Sequence, residues 1–283
     1  MVNCQFLFYP SSQKRGTFIT VKAQQEMSLL DISLLADLKD RRLAEEGICV
    51  GEGRFVVERM LSEGLEPLVI AAVPGMLEGL RKACPGSLPV QVLSQPEIGR
   101  IAGYPFHRGV LGAFRRPDYL SLRALLEEGS GPVLVLDGIT DPVNLGGILR
   151  SAAAFSTGRI LLGKNCGDPY SRRGIRASMA ACFSLSMAAE DDCEETVRLL
   201  RSSAYRIIGA DLCPGAVSAG ELFMDAETVL VLGNEGHGIS ETWRRACDAF
   251  VMIPISRQVD SLNVGVAAGI LLYELARKKK SMV

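Results

Sequence analysis

Regular alternation of apolar strand segments with helical segments constrains the fold of this chain more than any other feature. Beyond residue 130, strands are predicted at 133–136, 160–162, 183–187, 206–210, 229–232 and 250–253. Helices are predicted between and after them at 146–155, 175–182, 194–202, 240–247 and 261–278. Strands that are apolar throughout are buried on both faces, and strands that alternate with helices pair in parallel. The sequence therefore predicts an α/β fold with a mainly parallel sheet covered on both faces.

The part of the chain before Pro117 predicts a smaller α/β unit. Apolar residues at helical spacing predict a helix over 29–46, and further segments predict a helix at 55–61 and strands at 67–73 and 90–93. Proline and mixed charge near residues 115–118 interrupt the apolar pattern, as linkers do. Since domains hold about 100–200 residues, we expect two domains that meet near this point.

Charge, cysteines and apolar length exclude several classes of protein. The 31 basic and 32 acidic residues give a formal net charge of −1, which argues against a uniformly basic nucleic-acid binder but not against clustered cations. The chain has eight cysteines, no C-x-x-C pair and two histidines, and these residues lack the usual zinc spacings. We therefore expect no bound metal, and we expect the cysteines to be reduced thiols. The longest apolar stretch, 264–273, is too short to cross a bilayer, and the N-terminus lacks the features of a secretory signal. We expect a cytoplasmic protein without a membrane partner.

Three loops that follow predicted strands are rich in glycine, asparagine and charge. They are residues 137–150, 232–240 and 253–263. In open parallel sheets, ligands bind beyond the carboxyl ends of the strands, so these loops form the candidate site. The glycines of the second loop have the spacing G-x-x-G-x-G, which differs from the dinucleotide fingerprint G-x-G-x-x-G.

Several residues of these loops carry structural expectations of their own. Ser240 and Ser261 are interpreted as helix N-caps. Gly265 and Gly269, four residues apart, predict close packing of the last helix, either within the chain or across a dimer interface. His237 is expected to face solvent rather than to act as a general base. From the residues alone, the first loop is equally compatible with a ligand site and with a plain strand–helix turn.

Taken together, the three loops resemble the three sequence motifs of the SpoU (TrmH-type) RNA ribose 2′-O-methyltransferases of the SPOUT superfamily. The resemblance covers about residues 130–278, and three motifs in order are far more specific than any one. The matching residues are Asn144, Gly146 and Arg150 in the first motif, Gly233, Glu235 and Gly238 in the second, and Pro254, Ser261, Leu262 and Asn263 in the third. Residues 175–179 also resemble the family's stretch between the first two motifs.

The resemblance implies a knotted (trefoil) methyltransferase domain over residues 130–283 and an obligate homodimer with the active site at the subunit interface. It implies S-adenosyl-L-methionine as cofactor, held by backbone groups near Gly233, Ile253 and Leu262. The implied catalytic residues are Asn144, Arg150, Glu235, Ser261 and Asn263. Arg150 stands where the family's proposed general base lies. Because a guanidinium has a pKa above about 12, bidentate phosphate binding is the plainer role, and both roles stay open.

The N-terminal part is similar, more loosely, to the ribosomal-protein-like substrate-binding domain that often precedes this catalytic domain. The similar stretches are 38–42, 51–58 and 107–112, so we assign residues 29–116 to an RNA-binding domain and leave 1–28 as an unassigned extension. Predicted phosphate contacts are Arg41, Arg42, Arg54, Arg172, Arg173 and Arg176, with Arg115, Arg116 and Lys164 as further candidates. RNA is the expected partner, and the extra domain favours rRNA over tRNA by analogy.

Two other functions compete with RNA ribose methylation. A non-catalytic RNA-binding module could share the fold, but it need not keep Asn144, Arg150, Glu235 and Asn263. A nucleotide-cofactor oxidoreductase on an ordinary doubly wound sheet would carry G-x-G-x-x-G after the first strand, which neither half of this chain has. A tRNA ribose 2′-O-methyltransferase is the alternative within the family.

Overall fold

The computed structural model describes residues 40–84, 86–129, 131–221, 227–256 and 258–280, with side chains described up to residue 277. The first part of the chain folds around a four-stranded sheet. Its elements are α1 (Asp40–Glu45), β1 (Ile48–Glu52), α2 (Arg54–Ser62), β2 (Pro67–Ala72), a 3₁₀ turn (Pro74–Met76), α3 (Leu77–Ala83), β3 (Val90–Val92), α4 (Gln95–Ala102) and β4 (Val110–Arg115). The strands lie in the order β1-β4-β2-β3, and only β2 and β3 are parallel.

The second part of the chain folds around a seven-stranded sheet. Its elements are α5 (Leu122–Glu127), β5 (Val133–Asp137), α6 (Pro142–Ala154), β6 (Arg159–Leu162), α7 (Arg172–Ser178), a 3₁₀ helix (Ala181–Ser184), β7 (Ser186–Ala189), α8 (Cys193–Ser202), β8 (Arg206–Ala210), β9 (Val217–Ser218), β10 (Thr228–Gly233), α9 (Glu241–Ala246), β11 (Ala249–Met252) and α10 (Val264–Lys280). The order is β7-β6-β5-β10-β8-β11-β9, and every pair is parallel. The predicted parallel α/β fold is confirmed.

The central strands are buried on both faces, as their continuous apolar runs predict. Along β5, Leu134 and Leu136 pack into the core beneath α6 and α10. Val133 and Val135 point to the opposite face and pack with α5 and Trp243 of α9. Successive side chains of a strand alternate between the faces of a sheet, so one apolar run fills two helical layers.

The two sheets are also joined to each other. Val57 and Met60 of α2 belong to the same buried cluster as Tyr170 and Cys182 of the second part. Arg116, predicted as a candidate phosphate contact, instead makes two hydrogen bonds to the carboxylate of Asp168, at 2.8 and 2.9 Å. Its guanidinium also lies 4.8 Å from the ring centroid of Tyr170. Arg116 therefore holds the linker against the second sheet.

Several predicted element bounds are wrong. The helix predicted at 175–182 ends at Ser178, because Met179 and Ala180 take left-handed backbone angles (φ of 52° and 61°). The strand predicted at 183–187 accordingly begins only at Ser186. The helix predicted at 146–155 begins one turn earlier, at Pro142. Of the helix predicted over 29–46, only Asp40–Glu45 is described, and residues 29–39 lie outside the described residues together with the extension 1–28.

The cysteines of the described residues are free thiols, and four of them are predicted to be nearly inert. Burial raises the pKa of Cys49, Cys182, Cys193 and Cys247 from 9.0 to about 12. At pH 8 the thiolate fraction, which carries the reactivity, falls to about 0.0001 from about 0.1. We expect iodoacetamide to modify these four about 1000-fold more slowly in the folded protein than in urea. Equal rates in peptide mass spectrometry would contradict this burial.

Candidate active site

The three loops singled out in the sequence leave the same edge of the parallel sheet. β5 and β10 are neighbours, with Leu136 opposite Leu232 and Asp137 opposite Gly233, so their loops start side by side. β11 lies beyond β8, and its loop starts at the same edge because all these strands run in one direction. This edge is where parallel sheets bind ligands.

A closed polar cluster of Asn144, Glu235 and Asn263 joins the three loops. Asn144 Nδ2 donates a hydrogen bond to Glu235 Oε1. Asn263 Nδ2 donates to the same oxygen at 3.0 Å and to Asn144 Oδ1 at 2.9 Å. Asn144 and Asn263 are 119 residues apart in the chain, so only the fold brings them together. Three of the five predicted catalytic residues thus form one structure, which we call the Asn–Glu–Asn cluster.

Asn144 is positioned by the start of α6. Asp141 caps this helix, since its carboxylate accepts a hydrogen bond from the Asn144 N–H at 3.0 Å, and Pro142 fills the first helical position. Gly146 lies two residues further along α6. A Cβ there would come within 2.4 Å of the Ala177 Cβ, so glycine permits the close approach of α6 to α7.

Asn234, which the sequence analysis did not select, shapes the second loop. Its side chain donates to the Gly138 carbonyl at 2.7 Å and accepts from the N–H groups of Gly236 and His237 at 2.8 and 3.2 Å. Its backbone forms both hydrogen bonds of a bridge with Gly238, at 2.9 and 2.8 Å. Asn234 is therefore a positioning residue, and the only sequence signal for it is an asparagine beside a glycine-rich turn. His237 is exposed on this loop.

The third loop ends at a helix cap that differs from the prediction. Asn263 Oδ1 accepts hydrogen bonds from the N–H groups of Gly265 and Val266 at 3.0 and 3.2 Å. Asn263, not Ser261, is thus the N-cap of α10, which starts at Val264. Asparagine caps helices as well as serine does, and here its other amide atom belongs to the Asn–Glu–Asn cluster. The predicted cap at Ser240 occupies the right position in front of α9 but makes no side-chain capping bond.

A cavity of about 310 Å³ opens beside the cluster, between the loops after β8, β10 and β11. Gly233, Ile253 and Leu262, the residues predicted to hold the cofactor, all line it, and so do Glu235 and Ser261. Its floor is apolar, from Val251, Val264, Ala267 and Leu271. On its rim, the carboxylate of Asp211 is ion-paired with Arg244, and that of Asp260 has no partner among the described residues. Such a combination suits a small ligand with an apolar body and a cationic group.

Arg150 lies outside both the cluster and the cavity. It is exposed on α6, six residues beyond Asn144, and within the described part of the chain its side chain makes no hydrogen bond or ion pair. The structure therefore does not bring this predicted catalytic residue to the other four. A free, exposed guanidinium near the site is available to an anionic ligand.

The other predicted RNA-binding arginines divide into two groups. Most are engaged by carboxylates: Arg41 with Glu45 at 3.1 Å, Arg54 with Glu58 at 2.7 Å, Arg172 with Asp40 at 3.9 Å and Arg176 with Glu52 at 3.2 Å. The last two pairs join α7 to the first sheet and its helix α1. Arg42 and Arg173 are exposed, and neither side chain makes a hydrogen bond or ion pair within the described ranges.

The described residues contain neither a candidate metal site nor a membrane-spanning helix. No group of three or more His, Cys, Asp or Glu side chains in this part of the chain is arranged to hold a metal ion. No helix among these residues is both long and apolar enough to span a membrane.

A parallel α/β sheet whose loops surround a cavity and a polar cluster at the carboxyl ends of its strands is typical of ligand-binding α/β proteins. The chain belongs to the SpoU rRNA Methylase family, whose model matches residues 131–273. An uncharacterized tRNA/rRNA methyltransferase of Mycobacterium bovis is 33% identical over 239 residues, which is 82% of each chain. The crystal structure of an AdoMet-bound rRNA methyltransferase from Sinorhizobium meliloti is similar at a TM-score of 0.75 and 27% identity, over 93% of this chain and 97% of that one. The SpoU methyltransferase AviRb from Streptomyces viridochromogenes, at 21% identity and a TM-score of 0.75 over 93% of this chain and all of its own, shares the fold.

Proposed function

We propose that this chain transfers a methyl group from S-adenosyl-L-methionine to a ribose 2′-hydroxyl of a structured RNA, with rRNA favoured over tRNA. The observation that supports this most directly is the Asn–Glu–Asn cluster, since Glu235 belongs to it and also lines the cavity. The names of relatives agree on the class, because the Mycobacterium bovis protein is called a tRNA/rRNA methyltransferase and the Sinorhizobium meliloti enzyme an rRNA methyltransferase.

S-adenosyl-L-methionine is the cofactor, and the cavity residues fit its chemistry. The Sinorhizobium meliloti relative is AdoMet-bound. In this chain the apolar floor suits an adenine ring, backbone groups at Gly233, Ile253 and Leu262 are the proposed anchors, and the unpaired rim carboxylate of Asp260 suits a cation. When bound, the cofactor supplies an electrophilic methyl group on a sulfonium centre.

The residues of the cluster would orient the hydroxyl that receives the methyl group. Both amides of the cluster bond to one oxygen of Glu235, and its second oxygen, Oε2, has no hydrogen-bond partner within the described ranges. We assign this oxygen to hold the substrate hydroxyl, and Ser261 at the cavity wall to orient the nucleotide. Arg150 would bind the neighbouring phosphate with its two-pronged guanidinium, which aligns the hydroxyl without having to lose a proton.

The N-terminal assignment and the knot belong to the same proposal. We assign residues 29–116 as the RNA-binding domain, with exposed Arg42 and, from the catalytic part, Arg173 as phosphate contacts.

Three chain features support a trefoil knot over 130–283. β10 lies between β5 and β8, β11 lies beyond β8, and α10 then returns to pack on α6.

The exposed face of α10 supports a homodimer. The contact of Gly265 and Gly269 with α6 is not tight, because an added Cβ would meet the nearest α6 atoms at the ordinary distances of 3.9 and 3.7 Å. Beside it, Val266, Ile270 and Tyr273 are exposed and line a shallow groove between the two helices. We infer that a second copy of the chain covers this face, because contiguous apolar surface marks an interaction site and the face continues from the first and third loops.

Ile270→Lys is expected to convert the dimer into a monomer. A charge buried without a partner at an interface costs several kcal/mol, about a 100-fold or greater loss in dimer affinity. Light scattering after size exclusion at micromolar concentration measures the mass. The matched control is Val92→Lys, which places the same charge on an exposed apolar residue of β3. A wild-type monomer, or an Ile270→Lys dimer, would overturn the proposed interface.

The proposed activity is tested with labelled methyl donor and defined RNA. Wild-type protein is incubated with methyl-labelled S-adenosyl-L-methionine and, in separate reactions, with unmodified transcripts of the two large rRNAs and of a tRNA pool. Label is expected in rRNA. Label in tRNA alone would make tRNA the substrate instead of rRNA. A wild-type protein that labels no RNA would contradict the proposed function.

A further inference from the structure

An exposed aromatic ring lies beside an arginine at the start of helix α2. Phe55, in the first turn of α2, is 72% exposed, the highest value among the described large apolar side chains. The opposite face of α2 is buried through Val57, Met60 and other residues, so the helix is anchored without Phe55. The ring is therefore available for a ligand.

Arg54 lies beside this ring, and Arg108 lies at the turn that precedes it. The guanidinium of Arg54 lies 5.9 Å from the Phe55 ring centroid. Arg108 lies over the backbone of Gly53, where a Cβ would come within 3.0 Å of the arginine Cδ, and its side chain is exposed. Gly53 has a left-handed φ of 96°, which lets the chain turn from β1 into α2 beneath Arg108. We call Arg54, Phe55, Tyr104 and Arg108 the Phe55 patch.

The patch is joined to the catalytic part of the chain. Glu52, only 2% exposed, accepts hydrogen bonds from the Tyr104 hydroxyl at 2.7 Å and from Arg176 Nη1 at 3.2 Å. Arg176 belongs to α7, which packs against both β1 and α6, and α6 carries Asn144. Through these contacts the patch has a fixed position relative to the Asn–Glu–Asn cluster.

We propose that the Phe55 patch binds an unpaired base of the RNA substrate, with the base stacked on the Phe55 ring and Arg108 on an adjacent phosphate. The proposal rests on the proposed function, because it assumes an RNA substrate. Bases of RNA loops are recognised by stacking on aromatic and guanidinium planes, and stacking tolerates any base because each has a π-face. An exposed ring beside the ion-paired Arg54, with the exposed Arg108 at the preceding turn, matches a ligand that combines a flat apolar group with a negative backbone.

The first test separates stacking from charge. Phe55→Ala is expected to raise the KM for RNA about 10-fold, with kcat and the KM for S-adenosyl-L-methionine unchanged. The slope of log affinity against log salt should stay as in the wild type, since no phosphate contact is lost. Arg108→Gln should instead reduce that slope by about 0.7–0.9, the value for one phosphate contact. Phe55→Trp is expected to restore the wild-type KM.

The second test reads stacking directly. The chain has one tryptophan, Trp243, which is buried at 1% exposure, so Phe55→Trp adds an exposed fluorophore. A 12-nucleotide oligouridylate at low salt should quench this added fluorescence. Suppose that wild-type protein methylates RNA, that Phe55→Ala keeps the wild-type KM for RNA, and that oligouridylate does not quench the Phe55→Trp fluorescence. The patch then serves another partner, and this inference is overturned while the proposed function stands. A wild-type protein that labels no RNA would overturn the proposed function instead.

Discussion

Methyl transfer by the Glu235→Ala variant is expected to fall about 100-fold in kcat, with little change in the KM for RNA. Glu235 Oε1 accepts two amide hydrogen bonds, and its removal leaves Asn144 and Asn263 without their common acceptor. Loss of one preorganised group, or a misplacement of about 1 Å, costs about 100-fold in the rate of a positioned reaction. The protein should stay folded, because Glu235 is exposed.

The matched control is Glu241→Ala, an exposed carboxylate six residues further whose described partner is Arg245, at 2.8 Å. It should keep wild-type kcat. A double-mutant cycle of Glu235→Ala with Asn263→Ala sharpens the test. If the cluster acts as one unit, the two losses are far from additive, because the first already breaks what the second removes. Additive losses, or a Glu235→Ala variant within twofold of wild type, would contradict the role of the cluster.

Gly233→Ala is expected to weaken the binding of S-adenosyl-L-methionine about 100-fold. A Cβ at this position would lie 2.2 Å from the backbone C of Gly238 and 2.3 Å from the backbone N of Ile239. Because both are main-chain atoms, the second loop must open, and Gly233 and Glu235 leave the cavity wall. Overpacking of this kind also costs about 1–3 kcal/mol of stability, so the melting temperature should fall.

Gly236→Ala is the control within the same loop. Its added Cβ would meet only the Asn234 side-chain oxygen, at 3.5 Å, which is an ordinary contact. Calorimetric titration should give this variant a Kd close to wild type. If Gly233→Ala bound the cofactor as tightly as Gly236→Ala does, the cavity beside β10 would not be the cofactor site.

The parallel sheet could be predicted because its signal is local. Runs such as 133–136 and 229–232 are apolar at every position, which is typical of a strand buried on both faces. β1 and β4 were missed because Gly51, Glu52 and Gly112 interrupt their patterns. Glu52 is buried by its bonds to Tyr104 and Arg176, which are 52 and 124 residues away. Such long-range compensation leaves no trace in the local pattern.

The site could be predicted in part. Asn144, Glu235 and Asn263 stood out through the family resemblance, but their mutual hydrogen bonds depend on where three strands end. Asn234 was missed because its role is to bond backbone groups of two loops. For two arginines, a predicted phosphate contact is instead an ion pair within the chain. A sequence displays a cation without its partner, and the structure pairs Arg116 and Arg176 with carboxylates far away in the chain.

The most direct test of ribose 2′-hydroxyl methylation is alkaline hydrolysis of RNA labelled by the wild-type protein. Alkali cleaves RNA by attack of each 2′-oxygen on the adjacent phosphate, and a methyl group on that oxygen blocks the cleavage. The account predicts that the label is recovered in alkali-resistant dinucleotides, from one position of rRNA. Label recovered in single nucleotides, which places the methyl group on a base, would contradict it.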